Sequence, residues 1–451
     1  MKKIVLSILV FIPGFLLSQN PITEICASQN TNGTVVNFER FKDTIYATGF
    51  FTTVCGAGTS YMAKWDNGGW QPVDIPLSGP GHSLRAYSDL LYISKYVESI
   101  DSNWVYVYDG NDIQKLGMGV YLTTASGFSE LANIYDVATF NNVIIACGEF
   151  DRVGDQSISG IMQWDGGKWL EVGGGLSGNI PNTAPVMYPH QMLVFNGALY
   201  VVGNFRSAGG TVVNGIAKWD GIEWSAMGAG FNSTVYGIGI FENEIYVGGD
   251  FTKSGTTDLK RIAKWDGSQW VSPGFGFVPL NTNDYSFVHT IKEIDQVLLI
   301  AGGLKQLVYD DGSTASCGGI VGYSSHGIND FSGGVPSRDI EAVIQTENQE
   351  LLVGGGVFGN GYFGKTSLLT QARTDNPAEN LEIYPNPFNE TLVLNSKDII
   401  KNYSVTDLNG RVVASGTVTN NVLDIHSVQA GIYILRLKSD QHFYVSKIIK
   451  K

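Results

Sequence analysis

Six histidines serve a chain of 451 residues, and three of them share one register. Nine residues ahead of the strand-like segments that begin at Ile45, Leu91, Ile144, Leu199, Ile245 and Leu298 lie Val36, His82, Tyr135, His190, Tyr236 and His289. Neutral imidazole and phenol both give and accept hydrogen bonds beside a flat carbon surface, the chemistry that suits sugar hydroxyls or the polar face of a protein ligand. His82, Tyr135, His190, Tyr236 and His289 are therefore the candidate ligand-binding residues. A half-buried boundary position that accepts any planar polar ring would give the same pattern. His82, His190 and His289 come from alternate repeats, which predicts that they stand well apart and favours a broad polar ligand over one metal ion.

Other chemistry is not signalled. The chain contains no His-Glu-x-x-His, no Gly-x-Ser-x-Gly and no Gly-x-x-x-x-Gly-Lys-Ser/Thr. Asp310-Asp311-Gly312-Ser313 resembles part of a calcium loop but lacks the downstream acidic residues, so it reads as a surface turn. Cys26, Cys55, Cys147 and Cys317 are irregularly spaced, without Cys-x-x-Cys, and allow one or two disulfides in an exported protein. Cys147 sits in an apolar run and reads as core. No catalytic residue, metal or cofactor is assigned. The formal charge of −13 argues against nucleic acid, whose phosphates need Lys and Arg. Two function classes stand: a non-enzymatic glycan- or protein-binding module, and an extracellular enzyme acting on carbohydrate, since paired carboxylates cannot be placed from spacing alone.

The elements that would position this register are short strands. The chain holds 56 glycines with 9 Trp, 21 Tyr and 22 Phe, a mixture that disfavours long helices. Ile216-Ala217-Lys218-Trp219-Asp220-Gly221-Ile222-Glu223-Trp224 recurs at 262–270, 161–169 and 62–70, more weakly at 105–110, and in degraded form at 320–323. Each copy reads as a strand, an Asp-Gly turn and a second strand whose Trp lies across from the first. Ahead of each lies a second hairpin, typified by Ile245-Tyr246-Val247-Gly248-Gly249-Asp250-Phe251. Two hairpins make a four-stranded sheet, and the Trp or Tyr anchors lie 43 to 58 residues apart. Propeller blades repeat at about 40–50 residues. Residues 22–372 thus read as a seven-bladed β-propeller, with six blades the alternative. The last blade, from Ile340, shows three strand-like runs, so residues 22–26 are expected to supply its fourth and shut the ring. These signatures resemble kelch-like and galactose-oxidase-like bacterial β-propellers. That resemblance implies a fold and hardly a function, because propellers host enzymes, adhesins and scaffolds. A copper oxidase of that kind would need a Tyr cross-linked to Cys, for which no motif is present.

The ends differ. Lys2-Lys3, an apolar run to Leu17 and Ser18-Gln19 read as a secretory signal over residues 1–19, too short to span a bilayer, and no later run predicts a transmembrane span. Residues 20–372 form the expected propeller and the polar stretch 373–380 a linker. Residues 381–451 read as short alternating strands of a small β-sandwich. Here Tyr384-Pro385-Asn386-Pro387, then Asp407-Leu408-Asn409-Gly410-Arg411, then Gly431-Ile432-Tyr433, then the terminal lysines resemble the C-terminal sorting domain of type IX secretion substrates in the Bacteroidetes. The resemblance implies passage through the type IX translocon to the cell surface or medium, with removal of the domain and attachment to lipopolysaccharide or release. The terminal lysines are expected to form an exposed basic tail, and Asn409-Gly410 a hairpin turn.

Overall fold

Alternating apolar residues bounded by tight turns build the first sheet from Val35–Phe41, Thr44–Gly49, Met62–Asp66 and Gly69–Pro72, each strand antiparallel to the next. A computed structural model describes residues 23–25, 31–367 and 381–451 apart from short internal stretches. The expected signal segment, linker, Gly410 and Arg411 lie outside the described residues. Among those described, every element is a strand, and no helix is long and apolar enough to cross a membrane. The same pattern recurs in sheets whose first strands are Gly81–Tyr87, Asn133–Phe140, Tyr188–Phe195, Val235–Phe241, Val288–Ile294 and Ile340–Gln345. The first strand of each sheet lies against that of the next, and Ile340–Gln345 lies against Val35–Phe41. In the last of these sheets, Thr23–Glu24 pairs antiparallel with Asn360–Ser367, the strand expected of the N-terminal segment.

Local chemistry explains the hairpins. The turns after the first strands place two consecutive residues at positive φ, as at Lys42-Asp43, Asn141-Asn142 and Glu242-Asn243, the backbone that matches strand twist in a two-residue turn. In the Trp hairpins the Asp carboxylate caps its own turn: Asp165 Oδ1 accepts from Gly167 N and Lys168 N at 2.8 Å. Trp65 faces Trp70 across the ladder with ring centroids 5.3 Å apart, and the other three pairs repeat this at 5.0–5.2 Å. The second indole then reaches the preceding sheet, Trp169 Nε1 donating to Leu116 O and Trp270 Nε1 to Met227 O, both at 3.0 Å. The tryptophans are packing between sheets.

One irregularity recurs seven times among the described residues. Each first strand carries a β-bulge, and the extra residues are Val36, His82, Tyr135, His190, Tyr236, His289 and Glu341. In six sheets the residue before the bulge pairs with a glycine: Gly49, Gly148, Gly203, Gly249, Gly302 or Gly355. A Cβ there would stand 1.9–2.4 Å from a backbone carbonyl oxygen at or just before the start of the first strand, so only glycine fits. The second sheet inverts the arrangement: Gly81 stands on the first strand and Lys95 opposite it. Lys95 is buried, its ammonium donates to Ser60 O at 2.6 Å, and burial pulls its pKa down to about 7.

In residues 381–451 one sheet holds Leu381–Tyr384, Thr391–Ser396 and Val422–Asp424. The other holds Val412–Thr417, Ile400–Thr406, Gly431–Ser439 and Phe443–Lys450. Both contribute to one apolar cluster containing Phe388, Leu392, Val405, Leu435 and Ile448. Tyr433 OH donates to Gln429 O at 2.9 Å, and Asn386 Oδ1 accepts from Ile449 N at 2.9 Å. The basic tail needs correction. Lys450 is buried, with its ammonium donating to Ile425 O and His426 O and lying over the Phe388 ring; Lys451 is exposed. Cys147 and Cys317 are free and buried, and Cys55 is disulfide-bonded.

Two outcomes follow. Gly249→Ala is expected to cost about 2–3 kcal/mol in denaturant titration, because its Cβ would meet Thr234 O at 2.1 Å. Deleting residues 22–28 should lower Tm by several degrees through loss of the Thr23–Glu24 pairing; a shift within about 1 °C would show that strand to be dispensable.

Candidate functional site

A bulge leaves one residue unpaired and re-aims it, here off the ladder and away from the sheet's own core. Six of the sheets send side chains to one cavity of about 200 Å³. Val36, His82, Tyr135, His190, His289 and Glu341, all bulge residues, line it together with Phe50. Tyr236, the remaining bulge residue, stands behind them, stacked on His289 at 6.0 Å and edge-on to His190 at 5.5 Å.

The expectation that the histidines stand well apart is wrong. His190 and His289 meet edge to face with centroids 5.0 Å apart, and His82 reaches His190 through Tyr135, at 5.1 and 5.7 Å. The bulge turns each ring inward, so alternate sheets meet across a narrow centre. Two of their polar atoms are held by neighbours: His190 Nδ1 donates to Tyr236 O at 3.0 Å and Tyr135 OH donates to Glu149 Oε2 at 3.1 Å. Among the described residues, no three His, Cys, Asp or Glu side chains stand in metal-ligating geometry.

Burial sets the charge state. It lowers His82 and His190 to about 4 and His289 to about 3, with the charge of His190 adding to the fall at His82 and His289. All three are neutral near pH 7. Burial raises Tyr135 and Tyr236 above the ordinary phenol range, keeping them protonated. Glu341 is pushed up to about 8, first by burial and then by the Asp339 carboxylate. His289 Nδ1 is buried without a hydrogen-bond partner, although the Glu341 backbone carbonyl is near enough to oppose slightly the fall in its pKa.

Beyond the ring residues, the first strands are tied to one another by side chains that reach neighbouring backbones. Asp136 Oδ2 accepts from Met192 N at 2.8 Å and Gln191 Oε1 from Ile238 N at 2.9 Å. Arg85 Nε donates to Val137 O at 3.0 Å and Lys292 Nζ to Val343 O at 3.2 Å. Asp136 is buried with an Arg85 nitrogen 3.5 Å away.

Sequence reasoning missed Phe50 and Glu341. Counting nine back from Leu351, one residue into its strand as in the other repeats, lands on Ala342, because the hairpin loop between Thr346 and Glu350 is one residue longer than theirs. Phe50 follows the repeated glycine, at the place held by Tyr96, Glu149, Asn204 and Asp250 in other repeats, which is a signal the register could have carried.

Residues 382–451 match the family described as the secretion system C-terminal sorting domain. Among curated proteins none matches the sequence. The chain aligns with the WD40 beta propeller domain of Doa1 at 11% identity, over 77% of this chain and 98% of that one, with a TM-score of 0.45. It aligns with the β-propeller domain of the Trilobed protease from Pyrococcus furiosus at 9% identity, over 74% and 95%, with a TM-score of 0.39. A third alignment is to PorZ, a bacterial surface component of the type-IX secretion system of Porphyromonas gingivalis, at 13% identity, over 93% and 66%, with a TM-score of 0.29. The chain is thus an all-β protein with propeller neighbours that ends in a type IX sorting domain, which marks it for export to the cell surface or extracellular space.

Proposed function

We propose that this is a secreted or surface-held seven-bladed β-propeller of kelch-like repeats, followed by a β-sandwich sorting domain, and that its bulge-lined cavity binds a polar, sugar-like ligand without transforming it. The cyclic contact of first strands supports seven blades over six, and Thr23–Glu24 supports closure by the N-terminal strand. The observation that carries the binding reading is the convergence of His82, Tyr135, His190 and His289, all neutral, on one cavity with Phe50 as an apolar wall. Uncharged donors and acceptors beside aromatic faces match a pyranose, which is polar at its rim and apolar on its face. A hydrolase would need a second carboxyl about 5–10 Å from the first. The cavity wall supplies Glu341 alone. The N-terminal signal, the removal of residues 381–451 and attachment to lipopolysaccharide or release belong to the same proposal.

Glycan-array screening of the full-length protein is expected to yield a ligand whose Kd rises at least about tenfold, or 1.4 kcal/mol, in His82→Ala with little change in Tm. His190→Ala should weaken binding and also lower Tm, since the Tyr236 carbonyl loses its partner. Unchanged affinity in His82→Ala would move the site elsewhere. Deleting residues 381–451 is expected to leave the protein in the periplasm on cell fractionation; continued appearance outside would contradict the assigned route.

A further inference from the structure

Glu341 departs from the pattern of its register. The other bulge residues are aromatic, imidazole or valine; this one is a carboxyl lining the same cavity. Among the described residues no cationic side chain and no hydrogen-bond donor meets that carboxyl, and the one charge that acts on it is the Asp339 carboxylate. Lys305 acts on Asp339 rather than on Glu341. A carboxyl so placed costs stability unless a ligand completes it.

Resting on the binding reading above, we infer that the cavity takes a ligand bearing a primary ammonium group, an amino sugar in the first instance, with the ammonium against Glu341. A primary ammonium carries three donors on a compact charge. The Glu341 carboxylate takes one, and the faces of Phe50 and Tyr135 on the same cavity suit a cation. An anionic ligand would gain no ion pair in the cavity, and the Asp339 carboxylate would oppose it. A neutral sugar meets Glu341 as a protonated carboxyl, so only an ammonium gains by ionising it.

The test follows the imidazole carbon-bound proton signals of the full-length protein while glucosamine, glucose, N-acetylglucosamine and butylammonium are titrated in. The expected result is a Kd for glucosamine at least about tenfold below that for glucose and N-acetylglucosamine, with the preference abolished in Glu341→Gln. Because burial raises the Glu341 pKa to about 8 in the empty site, calorimetry in two buffers near pH 7 should show more protons released on glucosamine binding than in Glu341→Gln. Equal affinities for glucosamine and glucose, or a preference that survives Glu341→Gln, would overturn the ammonium assignment while leaving a sugar site intact. Butylammonium binding that depends on Glu341, with no sugar bound, would support the ammonium site and remove the sugar. Signals that respond to none of the four would overturn both.

Discussion

Each sheet of the repeat turns the free edge of its first strand toward the same centre. A free strand edge is a row of unpaired amides and carbonyls, and burying it unsatisfied is costly. In this chain the neighbouring sheet supplies the missing partners through side chains: Asp136 and Gln191 accept from amides, Arg85, Lys292 and His190 donate to carbonyls. Polar and charged residues accumulate at the centre because the backbone there requires them. The bulges are part of the same solution, since they interrupt the ladder where the side chain must turn inward. A structural need thus places chemistry-bearing groups where a ligand can meet them.

The two buried acids show how much the partners matter. Burial raises both Asp136 and Glu341. Asp136 is compensated by the Arg85 guanidinium, by Val137 N and Met192 N and by the Ser83 hydroxyl. Glu341 has no such set, and Asp339 adds a like charge. Among the described residues the first carboxyl is completed by partners from the fold, and the second is not. The histidines fall on the structural side as well, because ring contacts with Tyr135 and Tyr236 hold them in place even while they face the cavity.

Much of this arrangement was legible in residue order. The Trp-Asp-Gly hairpins, the two-residue turns and the fourth strand supplied by the N-terminus all follow from periodicity and turn chemistry, which are local. The bulge was not legible, because a one-residue phase shift within a strand of six to eight residues looks like ordinary scatter in the alternation. That single residue explains the unforeseen contact of His190 with His289; the miscounted Glu341 comes from a hairpin loop one residue longer, closed by Thr346 and Glu350. The burial of Lys450 was hidden for a different reason: a terminal lysine reads as solvated unless the carbonyls of Ile425 and His426 are known to converge on it.

The inverted pair in the second sheet links that sheet to the one before it. Six sheets keep glycine on the second strand, where a Cβ would meet a backbone carbonyl oxygen. In the second sheet Lys95 takes that place and the glycine, Gly81, stands opposite it. A Cβ on Gly81 would lie 2.4 Å from Thr48 Oγ1 of the preceding sheet, so the glycine there answers to its neighbour rather than to Lys95. A substitution at position 81 would therefore be felt across the boundary between two repeats, where the same exchange at the glycines of the other sheets would stay within one.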